Sequence, residues 1–291
     1  MNIKAFFDPR TFTLTYVVFD EATRDAVIID PVHDFDPAGC GLWSESVDQV
    51  VTFVKAQNLK IHFILETHAH ADHLSGSQLL KAHFPDAKLA IGHRITDVQE
   101  LFKGVFDLPE GFATDGSQFD MLLDEGPVYQ AGSLDFDVLF TPGHTPACTT
   151  FRFGDALFTG DTMFMPDFGT GRCDFPAGSA ADLYDSITKK IYAMPDETRI
   201  FVGHDYQPGG RELAWETTVG ESKAKNIQLP SGRSRADFIK WRTDRDMTLD
   251  APKLLFQSVQ VNVDAGRLPE AHENGIRYLK MPLNVFRPRS A

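Results

Sequence analysis

The chain has 291 residues, 42% apolar and 24% charged, with 41 Asp and Glu against 28 Lys and Arg for a net charge of −13. That is enough apolar material for a large core, and it excludes general disorder. The acidic balance argues against nucleic acid or an anionic membrane as the main partner, although the basic residues that cluster over 233–245 suit a small anion.

Residues 1–10 carry no basic segment followed by an apolar one, so no secretory leader is expected. Residues 12–19 and 26–29 are apolar and β-branched around a polar turn, which predicts a hairpin. Residues 31–41 read as a loop. Residues 45–58 place Val47, Val50, Val51 and Val54 at helical spacing. A buried strand over 61–65 follows, then a helix over 74–84 stopped by Pro85, then a short strand over 88–91. The first third therefore reads β-β-α-β-α-β. Residues 106–116 are loop-like, 134–140 alternate as a strand, and 149–153 with 156–158 form a second hairpin. A helix is predicted over 180–192, a strand over 199–202 and a helix over 235–245. Residues 253–260 are mixed and 266–291 mostly irregular. With no repeat and no low-complexity linker, one domain over 1–291 is expected, residues 211–291 forming a C-terminal elaboration.

No apolar run approaches the length of about 18 residues that a membrane helix needs. Cys40, Cys148 and Cys173 are odd in number and far apart, which excludes a disulfide framework and favours a reducing cytoplasm.

Residues 66–76 read Glu-Thr-His-Ala-His-Ala-Asp-His-Leu-Ser-Gly. Packing has no use for His68, His70, Asp72 and His73 in so short a run. Buried imidazoles are costly when charged and wasteful when neutral and unpartnered. A metal does need them, since imidazole and carboxylate are ligands for zinc and non-haem iron. The run also follows a buried strand, where sheet-based enzymes place their chemistry. The same arrangement recurs at His144 in Thr-Pro-Gly-His, Asp161 in Thr-Gly-Asp and His204 in Gly-His-Asp-Tyr. Each alone is an ordinary turn; their joint occurrence behind four separate strands is not. His33, His62, His83, His93 and His272 read as structural or surface residues. Two histidines with one carboxylate suit Fe(II) and oxygen chemistry, and the full set of seven suits two metals activating a bridging water. The residue types leave both open.

On Thr-His-Ala-His-Ala-Asp-His (67–73), Thr-Pro-Gly-His-Thr (141–145), Phe-Thr-Gly-Asp (158–161) and Gly-His-Asp-Tyr (203–206), the chain resembles the metallo-β-lactamase superfamily. The resemblance implies an α/β fold, the αββα sandwich of two facing mixed β-sheets with outer helices and metals at one edge. It implies one metal position on His68, His70 and His144, a second on Asp72, His73 and His204, and Asp161 able to bridge. Phe-Phe-Asp-Pro (6–9), Gly-Arg-Cys-Asp-Phe (171–175), Gly-His-Asp-Tyr-Gln-Pro-Gly-Gly-Arg-Glu (203–212) and the segment 257–269 bring the chain closer to the persulfide dioxygenases, bacterial branch, relatives of glyoxalase II.

That closer resemblance implies one Fe(II) per chain on His68, His144 and Asp161, with His70, Asp72, His73 and His204 as supporting residues or a second metal site. It implies oxidation of glutathione persulfide with O2 and water to sulfite and glutathione. The alternative is a binuclear zinc thioester hydrolase of glyoxalase II type, with two Zn. Arg172 is expected either to hold a glutathione carboxylate or to tie Asp174 or Asp161 in place. Tyr206 is expected to hydrogen-bond in the pocket or to pack in the core. Arg211, Arg235, Lys240, Arg242 and Arg245 are further candidates for the substrate carboxylates. The mitochondrial branch has Cys-Gly-Arg-Thr-Asp-Phe where this chain has Thr170-Gly171-Arg172-Cys173-Asp174-Phe175, so no family role transfers to Cys173. Neither nucleic acid nor membrane is an expected partner, and a homodimer is compatible with the reading.

Overall fold

The computed structural model describes residues 1–285; residues 286–291, the end of the stretch expected to be irregular, lie outside the described residues. In chain order the first half contains β1 (Asn2–Asp8), β2 (Thr13–Phe19), β3 (Asp25–Ile29), β4 (Val32–Asp36), β5 (Gly41–Trp43), α1 (Glu45–Ala56), β6 (Lys60–Glu66), β7 (Leu74–Ser75), α2 (Ser77–His83), β8 (Lys88–Gly92), α3 (Ile95–Val105) and β9 (Met121–Leu123). The second half contains β10 (Val128–Ala131), β11 (Leu134–Phe140), β12 (Thr149–Phe153), β13 (Ala156–Phe158), α4 (Ala180–Ser186), β14 (Arg199–Phe201), β15 (Glu216–Thr218), α5 (Val219–Lys225), α6 (Arg235–Asp246) and α7 (Leu255–Asn262).

Two six-stranded mixed sheets result, ordered β1-β2-β3-β6-β8-β9 and β10-β11-β12-β13-β14-β15. The alternation of β2 and β3 explains their stacking. Tyr16, Val18, Val27 and Ile29 point between the sheets, where they meet Phe136, Phe151, Phe153, Phe158 and Phe201. Val17, Phe19, Ala26 and Ile28 point the other way, onto the valine stripe of α1, Leu80 of α2, Val98 and Phe102 of α3, and Val259 of α7. Each large side chain so buried stabilises the fold by roughly 1.5–3 kcal/mol. Ring pairs Phe63–Phe136 (5.4 Å) and Tyr16–Phe158 (5.1 Å) cross from one sheet to the other, and the buried Tyr16 hydroxyl donates to the Val202 carbonyl at 2.7 Å. Helices thus cover an α/β core of two sheets, as the resemblance implies. Among the described residues no helix is long and apolar enough to cross a membrane.

Several expectations change. Residues 31–41 are not a loop, because β4 pairs with β5. The prolines and glycines there read as breakers, and β4 hides its strand pattern by burying Asp34, which Arg10 and the Ser46 backbone N–H satisfy. The helix expected from 74 starts at Ser77, since Leu74–Ser75 pairs with β4 instead. Helix α3 is amphipathic but was absent from the expected order, and the mixed stretch 253–260 resolves into α7.

Candidate metal centre

Strands β6, β11, β13 and β14 point their carboxyl ends at one edge of the sandwich, and the loops that follow carry His68 to His73, His144, Asp161 and His204. Glycines let these loops meet. A Cβ on Gly160 would lie 2.5 Å from Thr67 Oγ1, and one on Gly171 would collide with the Asp161 carbonyl. Both motif glycines are therefore close-approach positions.

His68, His70, His73, His144 and His204 are all at most 5% exposed. One nitrogen of each ring is anchored. His144 Nδ1 donates to the Arg172 carbonyl at 2.7 Å, and His73 Nδ1 to the Leu74 carbonyl at 3.1 Å. The Thr67 hydroxyl donates to Asp30 at 2.8 Å and so accepts from His68 Nδ1 at 3.0 Å. His204 Nδ1 faces Thr13 Oγ1 at 3.4 Å. His70 Nε2 faces Asp30 at 3.1 Å and Glu66 at 3.3 Å. The opposite nitrogens of three of these rings, His68 Nε2, His70 Nδ1 and His73 Nε2, are buried without a hydrogen-bond partner. Buried lone pairs left over in this number are what metal ligands look like before the metal is counted, since native interiors otherwise satisfy such atoms.

The ligand atoms of His68, His144 and Asp161 lie within 4.8 Å of one another, and those of His70, Asp72 and His73 form a second such group. His204 Nε2 lies between them, 3.1 Å from Asp72 and 3.2 Å from Asp161. Electrostatics fit the donor set. Burial, reinforced by His70, holds the His68 imidazole well below its usual range, and burial with the same neighbour lowers His73 to about 4, so both rings favour the neutral form that a metal could use. Burial alone would raise the Asp161 carboxyl, but His204, His144 and His68 outweigh it and hold Asp161 well below the usual carboxylate range. Burial opposes charge on His204 too, yet Asp72 and Asp161 lift it to about 9. A cation of charge two can replace such a proton among these carboxylates. The residues present fit a metal at the first group and also at the second.

A cleft of about 830 Å³ opens over the centre, lined by His144, Asp161 and Asp72 at its floor. Phe12, Phe164, Phe168 and Tyr206 form one wall; Tyr206 stacks on His204 (5.7 Å, 17°) and on Phe168 (4.5 Å). Arg172, Arg242, Arg245 and Lys253 stand at the other side. Arg172 ion-pairs with Asp174 and donates to the Asp250 carbonyl, the structural alternative expected for it, while still lining the cleft. Arg242 is 3% exposed and pairs with Asp246 and Gln228.

Three candidates lie outside the cleft lining. Arg211 is held by Asp205 and Asp167 behind the His204 loop, Arg235 by Asp185 on the surface, and Lys240 by Asp244 one turn along α6. Their charge is already matched, by distant acids at Arg211 and Arg235 and by an i,i+4 partner at Lys240. Conversely, Asp30, Gln228 and Lys253 stand outside every sequence motif, and Glu66 and Thr67 open the ligand run without a role of their own there. Asp30 and Glu66 do carry the signal that found the ligands, an acid closing an apolar strand.

Residues 8–204 match the Metallo-beta-lactamase superfamily. A "Beta-lactamase hydrolase-like protein" of Agrobacterium fabrum is 49% identical over 98% of this chain, which spans 65% of that protein's length. The mitochondrial persulfide dioxygenase ETHE1 of Bos taurus is 32% identical over 91% of this chain and 88% of its own. The crystal structure of ETHE1 from Myxococcus xanthus superposes with a TM-score of 0.73 at 32% identity, covering 92% of this chain and all of that one. The chain belongs to the metallo-β-lactamase superfamily and is homologous to its ETHE1-type persulfide dioxygenases and glyoxalase II relatives.

Proposed function

We propose that the protein is a persulfide dioxygenase that holds one Fe(II) per chain on His68, His144 and Asp161. The observation that carries this reading is the grouping of the ligand atoms. Two imidazoles and one carboxylate converge within 4.8 Å, with His70 outside the group and engaged by Asp30 and Glu66. Two His and one carboxylate with remaining positions open are the ligand set of non-haem Fe(II) oxygenases. The homology to persulfide dioxygenases supports the same choice.

The reaction is glutathione persulfide + O2 + H2O giving glutathione, sulfite and two protons; the sulfane sulfur is oxidised and dioxygen reduced. Iron, when bound, supplies the redox capacity to join sulfur and dioxygen. The chain supplies the rest. Phe12, Phe164 and Phe168 keep bulk water from the sulfur end of the substrate. The Tyr206 hydroxyl is a donor at the same end. Arg245 and Lys253 line the cleft and pair with no carboxylate among the described residues, so they are free to hold those of glutathione. Arg172, fixed by Asp174, orients the loop whose carbonyl anchors His144.

A second reading has its own observation. The unpartnered nitrogens of His70 and His73, with Asp72 beside them and His204 at 3.1 Å from Asp72, give the second group a donor set for another ion, as a two-zinc thioester hydrolase needs. Protein purified without oxygen and assayed as isolated separates the two. About one iron per chain, with activity following iron, supports the dioxygenase. Two tightly held zinc ions with full activity overturn it.

A further inference from the structure

The loop that carries the ligands lacks main-chain support of its own. Among the described residues, no backbone-to-backbone hydrogen bond involves residues 68–73. One distant side chain replaces it. Asn262, in the last turn of α7, is 4% exposed. Its Nδ2 donates to the His70 carbonyl and to the His73 carbonyl, both at 2.8 Å, and its Oδ1 accepts from the Ser75 N–H at 2.8 Å. Both amide protons and the carbonyl are therefore committed to one turn.

The rest of this segment docks differently. Gln78 donates to the Ala265 carbonyl at 2.7 Å and Gln99 to the Val263 carbonyl at 2.8 Å, while Leu255, Val259 and Val263 join the outer core. None of those contacts touches the backbone of a ligand residue. The chain turns back at Gly266, where a Cβ would sit 3.2 Å from the Ser75 carbonyl.

We propose that Asn262 is a positioning residue for the metal centre. It fixes the peptide groups that set the direction of the His70, Asp72 and His73 side chains, and it makes the C-terminal elaboration part of the ligand framework. Loss of Asn262 frees two carbonyls and one N–H to find other partners. The loop then samples orientations in which the donor atoms no longer converge.

The inference rests on the metal-centre reading but not on the choice of iron or zinc. The test uses Co(II) as the probe metal, with chelator competition and the visible spectrum recorded near 10 °C on folded protein. Asn262→Ala is expected to weaken Co(II) binding about 10- to 100-fold and to alter the ligand-field spectrum, as loss of ligand-orienting partners does. Gln78→Ala, which loosens the same segment without touching the ligand loop, is expected to stay within about twofold. Should Asn262→Ala not fold, Asn262→Leu keeps the volume and removes the same three hydrogen bonds. Unchanged affinity and spectrum in the Asn262 variant, or equal losses in both variants, overturn the inference. Failure of the unsubstituted protein to bind Co(II) overturns the metal-centre reading instead.

Discussion

Strand β3 starts on one aspartate and is followed by another, and each faces a histidine from β6 or its loop. At the amino end Asp25 meets His62 at 2.6 Å, with side chains 14% and 20% exposed, and Ser133 N–H adds a further bond to the carboxylate. At the carboxyl end Asp30 meets His70 at 3.1 Å, with side chains 4% and 2% exposed. The first pair is closed, because both side chains reach solvent and the Asp25 carboxylate is also taken by Ser133 in the turn between β10 and β11. The second is left open, because His70 Nδ1 has no partner and lies beside the unpartnered nitrogens of His68 and His73. The same two residue types therefore make a clamp at one end and a ligand support at the other. Burial and leftover lone pairs separate them, not the pair itself.

The largest effects are expected where lone pairs converge. Asp161→Ala removes the only carboxylate of the first group. Metal affinity should fall by more than about 100-fold, beyond the range for supporting residues, with far-ultraviolet circular dichroism unchanged because the core lies elsewhere. His204→Ala should cost much less metal in the mononuclear reading. Equal loss in the two variants, measured by metal content after dialysis, would contradict that reading.

Asp30→Asn tests the support itself. Asp30 holds the Thr67 N–H at 2.7 Å, the Thr67 hydroxyl and His70, so it reaches both ligand groups through one carboxylate. A loss of about 10- to 100-fold in metal affinity is expected in competition titrations. The matching change Asp25→Asn should leave metal affinity untouched; a comparable loss there would break the comparison between the two ends.

Substrate contacts come next in size. Replacing Arg245 and Lys253 together by Gln should raise KM for a glutathione-bearing substrate about tenfold, about 1.4 kcal/mol, with kcat nearly kept. A fall in kcat at constant KM would place these cations in the chemistry rather than in binding.

The smallest effect is the clamp's own pH dependence. The hydrogen bond from His62 lowers the Asp25 carboxyl to about 2. A carboxyl lowered on folding stabilises the protein above its unfolded value, near 4, and loses that contribution as pH falls towards 2. Solvent screens this pair, so Asp25→Asn should cost only about 1 kcal/mol or less at neutral pH. Denaturant titrations should show the gap between variant and parent narrowing below about pH 4 and closing as pH falls towards 2.

Much of this was legible because buried strands and metal ligands leave local marks. The run from His68 to His73 behind an apolar strand and the repeated strand-turn-ligand order carry the centre in the primary sequence. The sandwich came through the resemblance, and the alternation of β2 and β3 supplies its physical reason. What stayed hidden depends on partners far along the chain. Whether Arg211 or Arg235 is free for substrate depends on Asp167 and Asp185, which only the fold brings beside them, whereas Asp244 lies one helical turn from Lys240 and is legible in the sequence. Strand β4 was masked because its buried Asp34 breaks the apolar pattern and is satisfied by Arg10, 24 residues away. Asn262 shows the limit most plainly: an asparagine in a helix has no sequence mark that ties it to His70, 192 residues earlier.

The central claim is the reaction class, and oxygen uptake tests it most directly. Iron-loaded protein is mixed with glutathione persulfide in an oxygen electrode while sulfite is measured, and separately with a glutathione thioester. The account predicts oxygen consumption with sulfite appearing in equal amount, and no comparable thioester cleavage. Rapid thioester hydrolysis, with no oxygen consumed when the iron-loaded protein meets the persulfide, would contradict it.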